Sequence, residues 1–280
     1  MKALIVCNRK SGKHKGQKLV RKVIDGIKDL YQVETYISEY PKSITEKIID
    51  IGSTFDVIIT MGGDGTINEA ISGVMKLDKK PKMAFIPMGT CNDVCHTYKY
   101  KNIKTVIKRI RENKETKIDC YSVNGGYFLY AFAVGSVSSV SYETGRSKKF
   151  LGKMFYYLRG GAKIFKKSDI GYTMNGIDNN AYVFLAINSR YLGGFKVKSP
   201  EINTGNINFY IVDYKKFTNG AFDFALLMTT GKKSKLTHLV VEKEVNLKLN
   251  KKMPFNTDGE YLGSFDYINI KVEEKAITIF

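Results

Sequence analysis

Apolar residues in the first part of the chain fall into two patterns. Short, β-branched runs at 3–7, 56–60 and 83–87 have the length and composition of buried strands. Between them, Leu19, Val20, Val23, Ile24, Ile27 and Leu30 recur at the i, i+3, i+4, i+7 spacing of one helix face. So do Ile67, Ala70, Ile71, Val74 and Met75, and then Ile103, Val106, Ile107 and Ile110. Strand and helix in alternation imply right-handed crossovers and a parallel sheet covered on both faces, which predicts an α/β domain.

From residue 117 onward the texture changes. Runs at 118–123, 127–134, 181–187, 207–212, 239–241, 245–249 and 267–272 are strand-length, and many are divided by Gly, Asn or Asp turn chemistry. One helical pattern, 150–167, interrupts them. The expected organisation is an α/β domain over 1–116 and a mainly antiparallel β-sandwich domain over 117–280. No internal repeat is visible.

Composition narrows the picture. The chain has 280 residues, 43% hydrophobic and 26% charged, which is ordinary for a globular protein and excludes collagen-like or disordered classes. Lys and Arg number 45 against 27 Asp and Glu, a net charge of +18 that points to an anionic partner. No run approaches the roughly 18 apolar residues of a membrane-spanning helix. The first apolar run is too short for a secretory signal, so a cytoplasmic location is expected. The four cysteines show no CxxC spacing and the three histidines are scattered, so reduced, packed thiols are expected in place of a zinc site.

The strongest local signal is Gly62-Gly63-Asp64-Gly65-Thr66, between a buried strand and an amphipathic helix. Such a turn offers backbone N–H groups and the positive end of a helix dipole, which suits a phosphate, and Asp64 adds a carboxylate suited to Mg²⁺ or a proton. Neither GxxxxGK[ST] nor GxGxxG is present. A second loop, Gly89-Thr90-Cys91-Asn92-Asp93, follows the next strand, and a third, Asn8-Arg9-Lys10-Ser11-Gly12, follows the first. In a parallel sheet all three converge at the carboxyl edge. Taken alone, Asn92-Asp93 is also an ordinary helix cap, and the late Asp258-Gly259 is also ordinary hairpin chemistry.

Together these residues resemble the diacylglycerol kinase catalytic family, which includes bacterial diacylglycerol kinases and sphingosine kinases. The resemblance rests on Asn8-x-x-Ser11-Gly12, Gly62-Gly63-Asp64-Gly65-Thr66-x-Asn68-Glu69 and Pro87-x-Gly89-Thr90-x-Asn92-Asp93. It extends through Asn188, Gly193-Gly194 and Pro200 to Asp258-Gly259-Glu260. It implies an NAD-kinase-like nucleotide domain and a lipid cleft between it and the β-rich domain. Asn8, Arg9, Lys10, Ser11, Gly12, Gly62, Gly63, Asp64, Gly65, Thr66, Asn68, Glu69, Gly89, Thr90 and Asn92 would then bind ATP, with Asp64 on the catalytic Mg²⁺. Glu260 would accept the proton of the lipid hydroxyl, and Asp258 would support it or the metal.

Two departures from the family pattern stand out. Arg9 replaces a common Pro. Bacterial relatives often hold a structural Mg²⁺ with Asp-Asp-Gly and a later Asp, whereas this chain has Asn203-Thr204-Gly205-Asn206-Ile207-Asn208, whose neutral groups are poor ligands for a hard cation.

Cations concentrate at 10–22, 99–117, 146–153, 159–167 and 232–235, and the 146–167 stretch interleaves them with Phe and Tyr. Such a helix suits either an anionic membrane surface or a core position with a solvated basic face. The overall expectation is a peripherally membrane-associated, ATP-dependent lipid kinase acting on a diacylglycerol-like or sphingoid lipid, with a homodimer left open. The alternatives are an NAD-kinase-like phosphotransferase on a soluble substrate, and a basic nucleic-acid-binding module. No recognisable nucleic-acid motif supports the last, so nucleic acid is not an expected partner.

Overall fold

The three β-branched runs form parallel strands. β1 (Lys2–Cys7) lies between β2 (Gln32–Ile37) and β3 (Val57–Gly62), and β3 pairs in turn with β4 (Lys82–Pro87). Every residue of β3 is buried, as a central strand covered on both faces requires. β2 is the outermost strand of this group, and its polar Gln32, Glu34 and Thr35 hide it from a hydrophobicity pattern. The structure, a computed structural model, describes residues 1–8, 14–135, 169–174, 176–198, 201–214, 226–227, 230–231 and 234–280.

The helical stripes become α1 (His14–Ile27), α3 (Asp64–Val74) and α5 (Ile103–Arg111); α2 (Ser43–Ile51) and the short α4 (Asp93–Thr97) complete the set in this region. Val23 and Ile27 of α1, Ile67, Ala70, Ile71 and Val74 of α3, and Val106 and Ile110 of α5 are all buried. These strands and helices belong to a first unit, Met1–Cys120 with Lys275–Phe280. The α/β expectation matches this unit. In sequence it gives way to the second unit between Cys120 and Tyr121.

Tyr121–Glu274 forms the second unit. Its strands are β5 (Thr116–Val123, begun in the first unit), β6 (Gly126–Phe128), β7 (Ala131–Gly135), β8 (Ile170–Met174), β9 (Ile177–Ile187), β10 (Tyr191–Leu192), β11 (Phe195–Lys196), β12 (Ile207–Asp213), β13 (Thr237–Glu242), β14 (Glu244–Thr257) and β15 (Glu260–Ile279). The expected β-rich, antiparallel character holds. Among the described residues, however, its strands are not divided between two separately bonded sheets. Apart from the β10–β11 hairpin, one hydrogen-bonded path runs β13-β12-β9-β7-β14-β15, with β8 also bridging β9 and β14, and β5 and β6 beyond β15. The register of β14 against β15 shifts twice, between Lys248 and Met253 and again between Phe255 and Asn256. Such bulges bend a long strand, so one sheet can enclose a core by itself. Phe132, Phe184, Phe209 and Phe255 lie in that core, Phe132 meeting Phe255 edge-on at 5.2 Å between ring centres.

After Glu274 the chain rejoins the first unit. Ile279 pairs in parallel with Met83 of β4, and the Phe280 N–H donates to the Met83 carbonyl at 3.0 Å. The Phe280 carbonyl accepts from the Tyr100 hydroxyl and from Arg109 Nη1. Asp119 Oδ1 accepts from the Lys275 N–H at 2.8 Å where the strand re-enters. The expected helix at 150–167 and its basic clusters lie outside the described residues. Among the described residues, no helix is long and apolar enough to cross a membrane.

Candidate functional site

The register brings the ends of three adjacent strands to one edge. Cys7 pairs with Met61, Met61 with Ile86, and Gly62 with Pro87, so the three strands end side by side. Asn8 directly follows β1, whereas Arg9, Lys10, Ser11 and Gly12 lie outside the described residues.

The turns after β3 and β4 touch through their glycines. A Cβ on Gly89 would stand 2.5 Å from the Gly63 Cα and 2.9 Å from Asn92 Oδ1, and one on Gly63 would stand 3.0 Å from the Gly89 Cα. Gly63 has negative φ, so close approach and not a left-handed conformation is what demands a glycine there. Gly62 meets a similar limit, because the buried Thr66 side chain folds back against it. Gly63 precedes α3, no side chain caps that helix, and the Thr66 N–H donates back to the Gly63 carbonyl at 2.9 Å.

Asp64 opens α3 and its carboxylate reaches the other loop, where Oδ1 accepts from the Val94 N–H at 3.2 Å. Burial pushes the Asp64 carboxyl above its ordinary range, partly offset by N–H groups of Val94, Asp93 and Asn92. Asp64 thus serves α4 as a cap supplied from another helix. Asn92 plays no such role: it adopts left-handed backbone (φ 55) before α4, and its side chain instead closes the loop on itself. Its Oδ1 accepts from the Gly89 N–H at 2.8 Å and its Nδ2 donates to the Gly89 carbonyl at 2.9 Å. Gly89 and Thr90 remain exposed; Gly63, Gly65, Asn68 and Glu69 are half-buried. The Glu69 carbonyl accepts from Thr45 Oγ1, tying α3 to α2. Burial and the nearby Asp93 and Asp64 raise the Cys91 thiol to about 11, so no thiolate competes in this loop.

In the second unit, Asp258 and Gly259 have φ of 52 and 85 and join β14 to β15, with Thr257 paired to Glu260. The hairpin reading of Asp-Gly is therefore correct as geometry. The Asp258 side chain does more than turn the chain. Only 4% exposed, its carboxylate accepts the N–H groups of Leu129, Tyr130 and Ala131 at 2.8, 2.9 and 3.0 Å. The Tyr130 hydroxyl donates to the Asp258 carbonyl, and the Asp258 N–H donates to the Ala131 carbonyl. A carboxylate so engaged has little capacity left for a metal. The half-buried Glu260 follows on this clamped turn. The segment 129–131 carries no sequence signal, because it acts almost wholly through its backbone.

Asn188 and the Gly193-Gly194 pair also fall into place. The Asn188 N–H donates to the Tyr130 carbonyl, and the two glycines, both at positive φ, turn β10 into β11. Pro200 lies outside the described residues. Asn203 and Gly205 have positive φ in the turn before β12, and Glu274 lies against Gly205. Among the described residues no group of three or more His, Cys, Asp or Glu side chains could hold a metal ion.

Comparison with known proteins finds relatives along the whole chain. Residues 2–123 match the model of the diacylglycerol kinase catalytic domain. A diacylglycerol kinase of Staphylococcus aureus is 29% identical over 298 residues, covering 100% of this chain and 92% of the relative. That of Staphylococcus haemolyticus is 28% identical, covering 96% and 86%. In fold, the chain is similar to a putative diacylglycerol kinase from Bacillus anthracis, with TM-score 0.83, 22% identity and 99% and 96% coverage. An NAD kinase from Archaeoglobus fulgidus, solved in complex with ATP, gives TM-score 0.56 at 15% identity, with 100% and 93% coverage. The matched domain and these relatives imply a kinase that phosphorylates an alcohol. Residues 2–123 thus carry the diacylglycerol kinase catalytic pattern, and along its whole length the chain is similar to diacylglycerol kinases.

Proposed function

We propose that this enzyme transfers the γ-phosphate of ATP to the free hydroxyl of a diacylglycerol-like lipid. The observation that carries this reading is the backbone contact of Gly63 with Gly89, which joins two glycine turns into one edge beside Asp64. Phosphoryl transfer spreads negative charge over the γ-phosphate, so oriented backbone N–H groups and a helix N-terminus lower the barrier. Asn8, Gly62, Gly63, Gly65, Thr66, Asn68, Glu69, Gly89, Thr90 and Asn92 would contact the nucleotide, together with 9–12. Asn92 would act by holding the second loop shut.

Mg²⁺ fits this edge as a companion of ATP, not as a resident ion. It is commonly bound by one or two carboxylates plus substrate phosphates, and Asp64 is one carboxylate that burial leaves in want of a cation. Bound there, it would neutralise phosphate charge. In the second unit Glu260 would accept the proton of the lipid hydroxyl. Asp258, its carboxylate engaged by three backbone N–H groups, would position that turn and leave the metal to Asp64. The net charge of +18 favours an anionic membrane surface as the place where lipid is met.

Incubation with Mg²⁺ and labelled ATP against diacylglycerol, sphingosine and NAD tests the reading. Label should enter the organic phase with diacylglycerol; label confined to a water-soluble product would overturn it. Glu260→Gln should lower kcat by about two to four orders of magnitude with an unchanged melting temperature, because the Asp258 clamp is untouched. Equal kcat in the variant removes Glu260 as the base. Gly89→Ala forces the two turns apart. Titration calorimetry should show ATP affinity about tenfold or more weaker, since such overpacking costs roughly 1–3 kcal/mol and part of it falls on the loop. Unchanged ATP affinity would mean that this contact does not shape the nucleotide site.

A further inference from the structure

Among the described residues, one buried donor in the second unit has nothing to donate to. Asn188 is 3% exposed, and its Nδ2 has no hydrogen-bond partner among the described residues. Its orientation is determined by a neighbour. Asn208, 2% exposed, donates through Nδ2 to the Glu201 carbonyl at 3.1 Å and to Asn188 Oδ1 at 3.0 Å. A backbone carbonyl can only accept, so the Asn208 atom facing it must be nitrogen. The Asn188 atom facing that nitrogen must then be oxygen, and the Asn188 N–H groups are turned away from it. Rotating either amide would set two donors or two acceptors against each other.

A buried N–H without an acceptor is rare because it forfeits its hydration, and each one in a native structure calls for an explanation. Here position supplies it. The Asn188 N–H of the backbone donates to the Tyr130 carbonyl, while Tyr130 holds the Asp258 turn through both its own N–H and its hydroxyl. One residue therefore anchors the orphan amide on one side and the turn carrying Glu260 on the other. A donor and a proton acceptor set on a common anchor suit a substrate that offers an acceptor oxygen near a hydroxyl.

We infer that Asn188 Nδ2 donates to an ester carbonyl oxygen of the lipid, and so helps select an acylated glycerol over alcohols lacking such an oxygen. This rests on the lipid-kinase reading above. An ester carbonyl accepts and never donates, which makes it the complement of an amide whose oxygen is already committed. No bond is made or broken; the contact orients the substrate.

The test compares 1,2-dioctanoylglycerol with its dialkyl ether analogue, which keeps the hydroxyl and lacks both carbonyls, in mixed micelles. Asn188→Asp retains the oxygen that accepts from Asn208 and replaces the donor. It should reduce kcat/KM for the ester roughly ten- to a hundredfold, with the KM for ATP unchanged. The wild-type enzyme should lose a similar factor on the ether, and the variant little more on the ether than on the ester. Asn188→Ser, smaller and neutral, should show the same loss of discrimination and guards against an effect of the added charge. Equal losses on ester and ether, tracking a lower melting temperature, would mean that a buried water satisfies Asn188 and would overturn the inference. So would variants that match the wild type on both lipids. Should the wild-type enzyme phosphorylate neither lipid, the functional reading itself fails, and the inference with it.

Discussion

Asp64→Asn is expected to abolish most lipid phosphorylation while leaving the fold intact or more stable. The asparagine oxygen still accepts the Val94 N–H, so the link from α3 to α4 survives. What disappears is the carboxylate charge proposed to hold Mg²⁺ against the ATP phosphates. Losing one preorganised electrostatic partner of the transition state costs about 2.7–4 kcal/mol, roughly two to three orders of magnitude in kcat. Stability should move the other way. Burial raises the Asp64 carboxyl above its ordinary range, and a group with a raised folded pKa destabilises the native state as it ionises. The penalty is absent below the ordinary carboxylate range and grows as pH rises through the folded pKa. The variant should therefore melt at or above the wild-type temperature at neutral pH, and the difference should vanish in acid. Added Mg²⁺ with ATP should stabilise the wild type more than the variant. A variant with full turnover, or one that melts lower at neutral pH than in acid relative to wild type, would contradict this account of Asp64.

Removal of residues 275–280 should unfold the first unit. Ile277, Ile279 and Phe280 are almost completely buried in it, and their side chains contribute on the order of 1.5–3 kcal/mol each. The sum rivals the whole stability of a typical domain, about 5–15 kcal/mol. The loss also strips the acceptor from the Tyr100 hydroxyl and from Arg109, and leaves the Met83 carbonyl without its partner. Limited proteolysis and circular dichroism would detect it as early cleavage within 1–120 and loss of helix signal. Phe280→Ala is the milder control, expected to cost roughly 3–5 kcal/mol. A truncated chain that melts as the full-length one does would show that the returning strand is an accessory to the sheet.

Much of the site is local and could be read without coordinates. Gly62 through Thr66 forms a turn between a buried strand and an amphipathic helix, and neighbours within a few residues dictate both. Parallel alternation then placed the ends of β1, β3 and β4 at a common edge. The Asp258-Gly259 turn was equally legible, since left-handed backbone at two successive positions selects such residues. The use of Asp258 was not: its three donors come from residues 129–131, more than a hundred positions away, and a backbone N–H has no sequence identity.

By itself, then, the sequence determined the strand–helix alternation, the glycine turns and the acidic residues attached to them, because these depend on periodicity and on local backbone sterics. Tertiary structure decided which turns meet, through the contact of Gly63 with Gly89, and which side chains are consumed in holding the fold. It placed Asn92 on Gly89 instead of on its helix, saturated Asp258, oriented Asn188 through Asn208, and returned Lys275–Phe280 to β4. Each of these joins groups far apart in the chain, where packing and hydrogen-bond geometry discriminate between partners that pattern alone leaves equivalent.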